Sequence, residues 1–253
     1  MSEPNPARIA DSQPEHDVTG DVVHAVGVGP GDTSFLTDRA MTLVEQADVV
    51  VGFETVTDCI KDLTGAEILA CSYDDQTAVL TQFGRRVADG ASGVAVLWGD
   101  PNVSGYQFLG RVEKAVDDPV KVIPGVSSVQ IAASRARTPL EQATFASLHR
   151  RGEVVDDLDR LADAATDGRH LIVIVRPYDW MPQDIAAGLV ERGVQSDRPA
   201  LVLEELTLPD ESIEQTTVGG LAATDGKKSY SDRSILVVRT KTNDREHTHG
   251  TQR

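Results

Sequence analysis

The apolar run of residues 22–28 passes without a break into glycine: VVHAVGVGPGD places Gly27, Gly29, Pro30, Gly31 and Asp32 directly after a β-type segment. A strand that ends in a glycine turn points to a parallel α/β sheet, which receives its ligand at the carboxyl edge of the strands. The spacing excludes the commonest such ligand. A dinucleotide fingerprint requires Gly-x-Gly-x-x-Gly, and the sixth position here is Asp32. Pro30 also lacks the backbone N–H that a pyrophosphate would use. The loop suits a neutral or cationic nucleoside better than a diphosphate, and a purely structural turn is the competing explanation.

The rest of the chain repeats the alternation. Apolar runs at 22–28, 47–51, 66–70, 93–98 and 120–123 read as strands of a mainly parallel sheet. Helical spacing covers 36–46 and 76–89, with Val79, Leu80, Phe83 and Val87 on one face of the second. Thr37 or Ser34 can cap the first. Further helices are expected after Gly105 and from Ser127 or Ser128. Pro139 interrupts the pattern, and a second block follows with strands near 143–148, 170–175, 199–204, 213–218 and 234–239 and helices near 154–165 and 182–192. The expected organisation is a disordered leader (1–20), an N-terminal α/β lobe (21–138), a C-terminal α/β lobe (139–240) and a polar tail (241–253).

Composition narrows the partners. The net charge of −16 repels nucleic acid and anionic membranes. Abundant Asp, only six lysines and few aromatics resemble proteins of salt-rich cytoplasms. No apolar run approaches the roughly 20 residues of a membrane span, and the leader lacks a signal peptide's basic start and apolar centre. A soluble, cytoplasmic protein is expected. Cys59 and Cys71 are too few for a zinc knuckle or a disulfide framework, and His247 and His249 lie in the tail, so no metal site is indicated.

Three strand-end loops in the first lobe carry residues suited to a ligand: GVGPGD, then Trp98-Gly99-Asp100-Pro101-Asn102, then Pro124-Gly125-Val126-Ser127-Ser128. Gly99 lets a ligand approach the backbone, Asp100 supplies a carboxylate, and Ser127 and Ser128 offer hydroxyls and N–H groups at a helix start. One such loop is readily explained as a turn with a helix cap. Three on successive strand ends of one sheet are not.

In their order and spacing, GVGPGD, LWGDP, VIPGVSSVQIAASR and the later EELTLPDESI resemble the tetrapyrrole (corrin/porphyrin) methyltransferases, over about residues 21–240. Within that family the PGVSSVQ-AASR run followed by TFASLHRRG is most similar to the precorrin-7 C5-methyltransferases. Arg150 stands where that subfamily has glycine, and Trp98 where serine is common. The resemblance implies two α/β lobes with S-adenosyl-L-methionine in the cleft between them, a homodimer, and C-methylation of a late corrin precursor, cobalt-precorrin-7 at C5. By motif position it assigns Pro30, Gly99, Asp100, Val103, Ser127 and Ser128 to the cofactor, with Arg176 and Gly219 as looser second-lobe candidates.

The residue chemistry agrees. S-adenosylmethionine is a phosphate-free sulfonium cation, so backbone groups and one carboxylate suffice, and methyl transfer is an in-line displacement that depends mostly on alignment. Asp100 and His149 are the candidates for a base that removes the final proton. A polycarboxylate tetrapyrrole substrate requires local cations, and Arg135, Arg137, Arg150 and Arg151 near the lobe junction are the candidates. His149, Tyr178 and Trp180 are equally suited to packing, and Glu204 and Glu205 to a structural role. The chain ends after the second lobe, so C15 methylation and decarboxylation would be handed to a separate enzyme. Alternatives are another methylase of the fold (a different precorrin position, or one like the diphthamide-forming enzyme, with a protein acceptor), a non-catalytic ligand-binding homologue, and, least favoured, a nicotinamide oxidoreductase.

Overall fold

The computed structural model describes residues 22–103, 105–150, 152–177, 179–224 and 229–240, together with Pro6. The expected leader (Pro6 apart) and tail lie outside the described residues, as do Tyr178 and Arg151. The chain forms two compact units. Among the described residues the first holds 22–131 and Leu206–Asp210, and the second holds Ala132–Glu205 and the residues from Glu211 onward.

The first unit is built on a five-stranded sheet: β1 (Val23–Gly27), β2 (Val49–Phe53), β3 (Glu67–Cys71), β4 (Gly93–Leu97) and β5 (Val120–Ile123), in the order β3-β2-β4-β1-β5. Every pairing is parallel, so all carboxyl ends share one edge. Helices α1 (Asp38–Glu45), α2 (Glu54–Ile60), α3 (Gln76–Ala88) and α4 (Tyr106–Ala115) connect the strands, and α5 (Ser128–Arg135) follows β5. The continuous apolar strands are explained by core on both faces. Val51, Ala95, Phe83 and Leu109 pack on one side, and Val50, Val96, Val44 and Ile60 on the other.

Local signals account for most boundaries. Thr37 caps α1, its hydroxyl accepting from Ala40 N at 3.1 Å. Ser34 is not the cap. It sits in a short 3₁₀ turn, Thr33–Phe35, and donates its N–H to Asp32 at 2.8 Å. On α3, Leu80, Phe83 and Val87 are buried as the spacing predicts, while Val79 is only partly buried. The sequence pattern contains no expectation of α2. ETVTDCI is rich in β-branched residues, which disfavour a helix, but Val56 and Ile60 fall four apart and are buried together.

The second unit is mixed. Its strands β6 (Ala143–Ser147), β7 (His170–Ile174), β8 (Pro199–Glu204), β9 (Ser212–Thr217) and β10 (Ile235–Val238) run in the order β6-β7-β10-β8-β9. β6 and β7 are parallel, β10 is antiparallel to both β7 and β8, and β8–β9 form an antiparallel pair. One end of the sheet therefore carries the carboxyl ends of β6, β7 and β8, where Ser147, Ile174, Ile235 and Leu203 are in register. Helices α6 (Val155–Thr166), α7 (Pro182–Glu191) and α8 (Val218–Ala222) complete the unit. Leu171, Ile172 and Val173 are fully buried, as the run RHLIVIVRP predicts.

Candidate functional site

In the first unit the loops after β1, β4 and β5 meet at one point. Gly29 and Gly99 pair through both backbone bonds, Gly29 N to Gly99 O at 3.2 Å and Gly99 N to Gly29 O at 2.8 Å. Gly99 holds φ +65°, a conformation that favours glycine. A Cβ at Gly27 would lie 2.5 Å from Gly99 O and 2.8 Å from Gly125 N, so the backbones of three loops are in direct contact. Asp100 ties them together. Its Oδ1 accepts from Asn102 N at 2.7 Å and Asn102 Nδ2 at 2.9 Å, and its Oδ2 accepts from Gly125 N at 3.1 Å. A carboxylate has about four acceptor sites, which leaves Asp100 about one for a ligand. Val103 closes the turn, donating its N–H to Asp100 O at 2.9 Å.

Ser127 and Gln130 form a reciprocal cap at the start of α5. Ser127 N donates to Gln130 Oε1 at 2.8 Å, and Gln130 N donates to Ser127 Oγ at 3.2 Å. Ser127 is buried, with 4% of its surface exposed, and both its polar groups are occupied. Ser128 N lies 3.7 Å from where a Cβ on Gly99 would stand. Pro30 is buried beside this junction. The donor set is neutral backbone with one carboxylate. It fits a cationic, phosphate-free nucleoside, with no arginine or lysine among these groups to clamp a diphosphate.

The segment Leu206–Asp210 belongs to the same unit although it follows β8 in the chain. Asp32 N donates to Thr207 Oγ1 at 3.2 Å, and Leu208 packs where any side chain on Gly31 would stand, 2.6 Å from its Cβ position. Glu205 (φ +49°) and Thr207 (φ +70°) both hold left-handed backbone without being glycine. Such strain persists only where the surroundings impose it, and it concentrates at functional sites.

In the second unit the polar residues gather at the carboxyl end of β6, β7 and β8. Arg176 is bound on every side. Its Nε and Nη2 donate to Asp179 at 2.8 and 2.7 Å, its Nη1 donates to the carbonyls of Arg150 at 3.1 Å and Gly152 at 2.7 Å, and its backbone pairs with Trp180. Arg150 itself pairs with Asp157. His149 immediately precedes Arg150 and is exposed at the surface. The surrounding protein lowers its pKa by desolvation, and the Asp232 charge opposes that shift. Glu204 accepts from Ser231 N at 2.7 Å, and Glu205 accepts from the Ser231 hydroxyl and pairs with Arg233 at 2.9 Å.

The structure therefore brings Pro30, Gly99, Asp100, Val103, Ser127 and Ser128 to one edge of one sheet. It does not bring Arg176 and Gly219 together. Gly219 follows β9, whose end pairs with the start of β8, and packs on Ser196 at the opposite end of the sheet from Arg176. The four arginines also separate. Arg135 and Arg137 line a cavity with Arg239, Arg150 lies beyond β6, and Arg151 is outside the described residues.

The family model described as Tetrapyrrole (Corrin/Porphyrin) Methylases matches residues 22–222. The chain belongs to this family. As a tetrapyrrole methylase it is similar to a probable cobalt-precorrin-7 C(5)-methyltransferase of Methanocaldococcus jannaschii, 28% identical over 83% of this chain and 94% of that one. It is also similar to a siroheme synthase of Gluconobacter oxydans, 26% identical over 85% of this chain, and spans 48% of that relative's length. The uroporphyrin-III C-methyltransferase of Thermus thermophilus, solved in complex with S-adenosylhomocysteine, shares the fold. Its TM-score is 0.68 at 24% identity, over 87% of this chain and 92% of that one.

Several residues of the candidate site escape a reading of the sequence. Gln130 was legible in principle, because Ser-x-x-Gln before an apolar run is a capping-box spacing. Asp179, the bidentate partner of Arg176, sits three residues on but outside any helix, so no periodicity marks it. Thr207 lies 175 residues from Asp32, and no local signal joins them. No helix among the described residues is long and apolar enough to cross a membrane.

Proposed function

We propose that this tetrapyrrole methylase transfers the methyl group of S-adenosyl-L-methionine to a carbon of a late corrin precursor, C5 of cobalt-precorrin-7. The observation that carries the cofactor assignment is the three-loop junction, where Gly99, Asp100, Val103 and Ser128 surround a backbone surface without a cationic clamp. The substrate assignment rests on the SLHRRG and PGVSSVQ runs and on the similarity to the probable cobalt-precorrin-7 enzyme.

When bound, the cofactor supplies an electrophilic methyl on a good leaving group. The protein's part is alignment. Asp100 fixes the loops after β4 and β5 to each other and keeps about one acceptor site for the cofactor's amino or ribose groups. Ser128 presents a helix-start N–H beside Gly99, and Pro30 is buried next to Gly29. Arg176 acts on the second unit by holding the loop that bears His149, Arg150 and Arg151. His149, exposed but partly desolvated by the protein around it, has a lowered pKa that favours the neutral imidazole and is suited to accept the proton released after methylation. The same reading makes the enzyme a homodimer of a salt-rich cytoplasm.

Calorimetric titration with S-adenosylhomocysteine in high salt is the first test. Micromolar binding, weakened about tenfold or more by Asp100→Ala, is expected, the equivalent of about 1.4 kcal/mol. A folded sample that binds none removes the reading. Incubation with cobalt-precorrin-7 and labelled cofactor then tests the carbon position, and label appearing at any other carbon overturns the C5 assignment.

A further inference from the structure

The far end of the second unit, opposite Arg176, gathers positive charge that the methylation reading does not use. Arg135, Arg137 and Arg239 line a cavity of about 220 Å³ whose other walls are Pro199, Leu201, Gln215 and Thr216. Arg169 and Arg198 lie at the same end of the sheet without lining this cavity; Arg198 lines another, with Ala165, Gly193 and Thr240. Arg198 is buried, and its guanidinium donates only to carbonyls, those of Ala165, Arg169 (2.9 Å) and Arg239 (3.3 Å). Arg169 likewise donates to the carbonyls of Glu141 and Ala143 and to the Thr144 hydroxyl.

Of these five arginines only Arg135 pairs with a carboxylate among the described residues, that of Glu211 at 2.6 Å. Arg137 is exposed, and Arg239 has a buried Nε without an acceptor. Two guanidiniums without a carboxylate partner on one cavity, Arg137 and Arg239, are unexpected in a chain of net charge −16, where carboxylates are plentiful. His170, at the same end, has its pKa lowered first by burial and then by Arg239, Arg198 and Arg169. Its Nδ1 accepts from Thr240 N at 3.0 Å, which requires that nitrogen to be unprotonated. The positive charge at the cavity itself comes from Arg137 and Arg239.

We propose that this cavity is a binding site for a small, multiply charged anion, a phosphate or a compact polycarboxylate, separate from the methylation site. Arg137 and Arg239 provide the charge, and Gln215 and Thr216 provide neutral polar groups along the β9 wall. The volume lies below the roughly 300 Å³ at which pockets for drug-sized ligands begin, so the cavity does not take in a tetrapyrrole macrocycle. Arg135, held by Glu211, frames the rim.

The test is calorimetry of the full chain with citrate and, separately, inorganic phosphate at fixed ionic strength. Saturable binding of one equivalent is expected for at least one probe, weakened tenfold or more by Arg137→Gln and by Arg239→Gln. Binding of S-adenosylhomocysteine should change less than twofold in both variants. Preference for citrate assigns a carboxylate ligand and preference for phosphate a phosphoryl one. Absence of saturable heat with either probe overturns the proposal. So does binding that survives both substitutions, or that falls as much with Arg39→Gln, an exposed arginine of the first unit.

Discussion

Gly27 shows what a single residue contributes to the junction. Replacing it with alanine puts a methyl group 2.5 Å from Gly99 O and 2.8 Å from Gly125 N, and both are backbone atoms that no rotamer change can move. Gly27→Ala is expected to cost about 1–3 kcal/mol, the usual range for overpacking, read as a lower urea midpoint, and to weaken S-adenosylhomocysteine binding. The sequence places Gly27, Gly99 and Gly125 in strand-end loops and suggests that Gly99 makes room for a ligand. The structure shows that they first make room for one another. Nothing in a one-dimensional pattern distinguishes the two, because the three are brought together only by the parallel pairing of β4, β1 and β5.

At the scale of elements, the loops after β6 and β7 act as one piece because Arg176 joins them. Its planar fork satisfies Asp179 and two carbonyls at once, an arrangement that a lysine ammonium does not reproduce. Arg176→Lys is expected to weaken binding of uroporphyrin, a stable tetrapyrrole polycarboxylate, about tenfold, with S-adenosylhomocysteine affinity changed less than twofold. Fluorescence quenching for the first and calorimetry for the second decide it, and an equal loss in both would return Arg176 to a cofactor contact. Strands and long amphipathic helices were readable because burial imposes periodicity on them. Helix α2 was not, because Thr55, Val56 and Thr57 look like strand and only their packing makes them helix.

Across the whole molecule, two buried or desolvated histidines tie stability to pH. His149 and His170 both have lowered pKa values, so the folded chain favours their neutral forms. That contribution is complete above the ordinary histidine value near 6.5 and is lost as pH falls through it toward the lowered folded values. The urea midpoint is expected to fall between pH 7.5 and 5.5. In His170→Asn, which keeps an acceptor for Thr240 N but does not titrate, the fall should be smaller. The alternation of runs predicts two α/β halves, with the break at Pro139; the compact units divide instead within α5, between Ile131 and Ala132. The membership of Leu206–Asp210 in the first unit was not legible, since it depends on two strained residues and a contact spanning 175 positions. That contact gives the chain a timetable. A nascent polypeptide of 131 residues already possesses all five strands of the first sheet, yet its glycine loop still lacks Thr207 and Leu208. Closure over so long a separation is slow to reach, so the first unit to be synthesised is among the last to be finished, and the loop acquires its final form only when most of the second unit has also emerged.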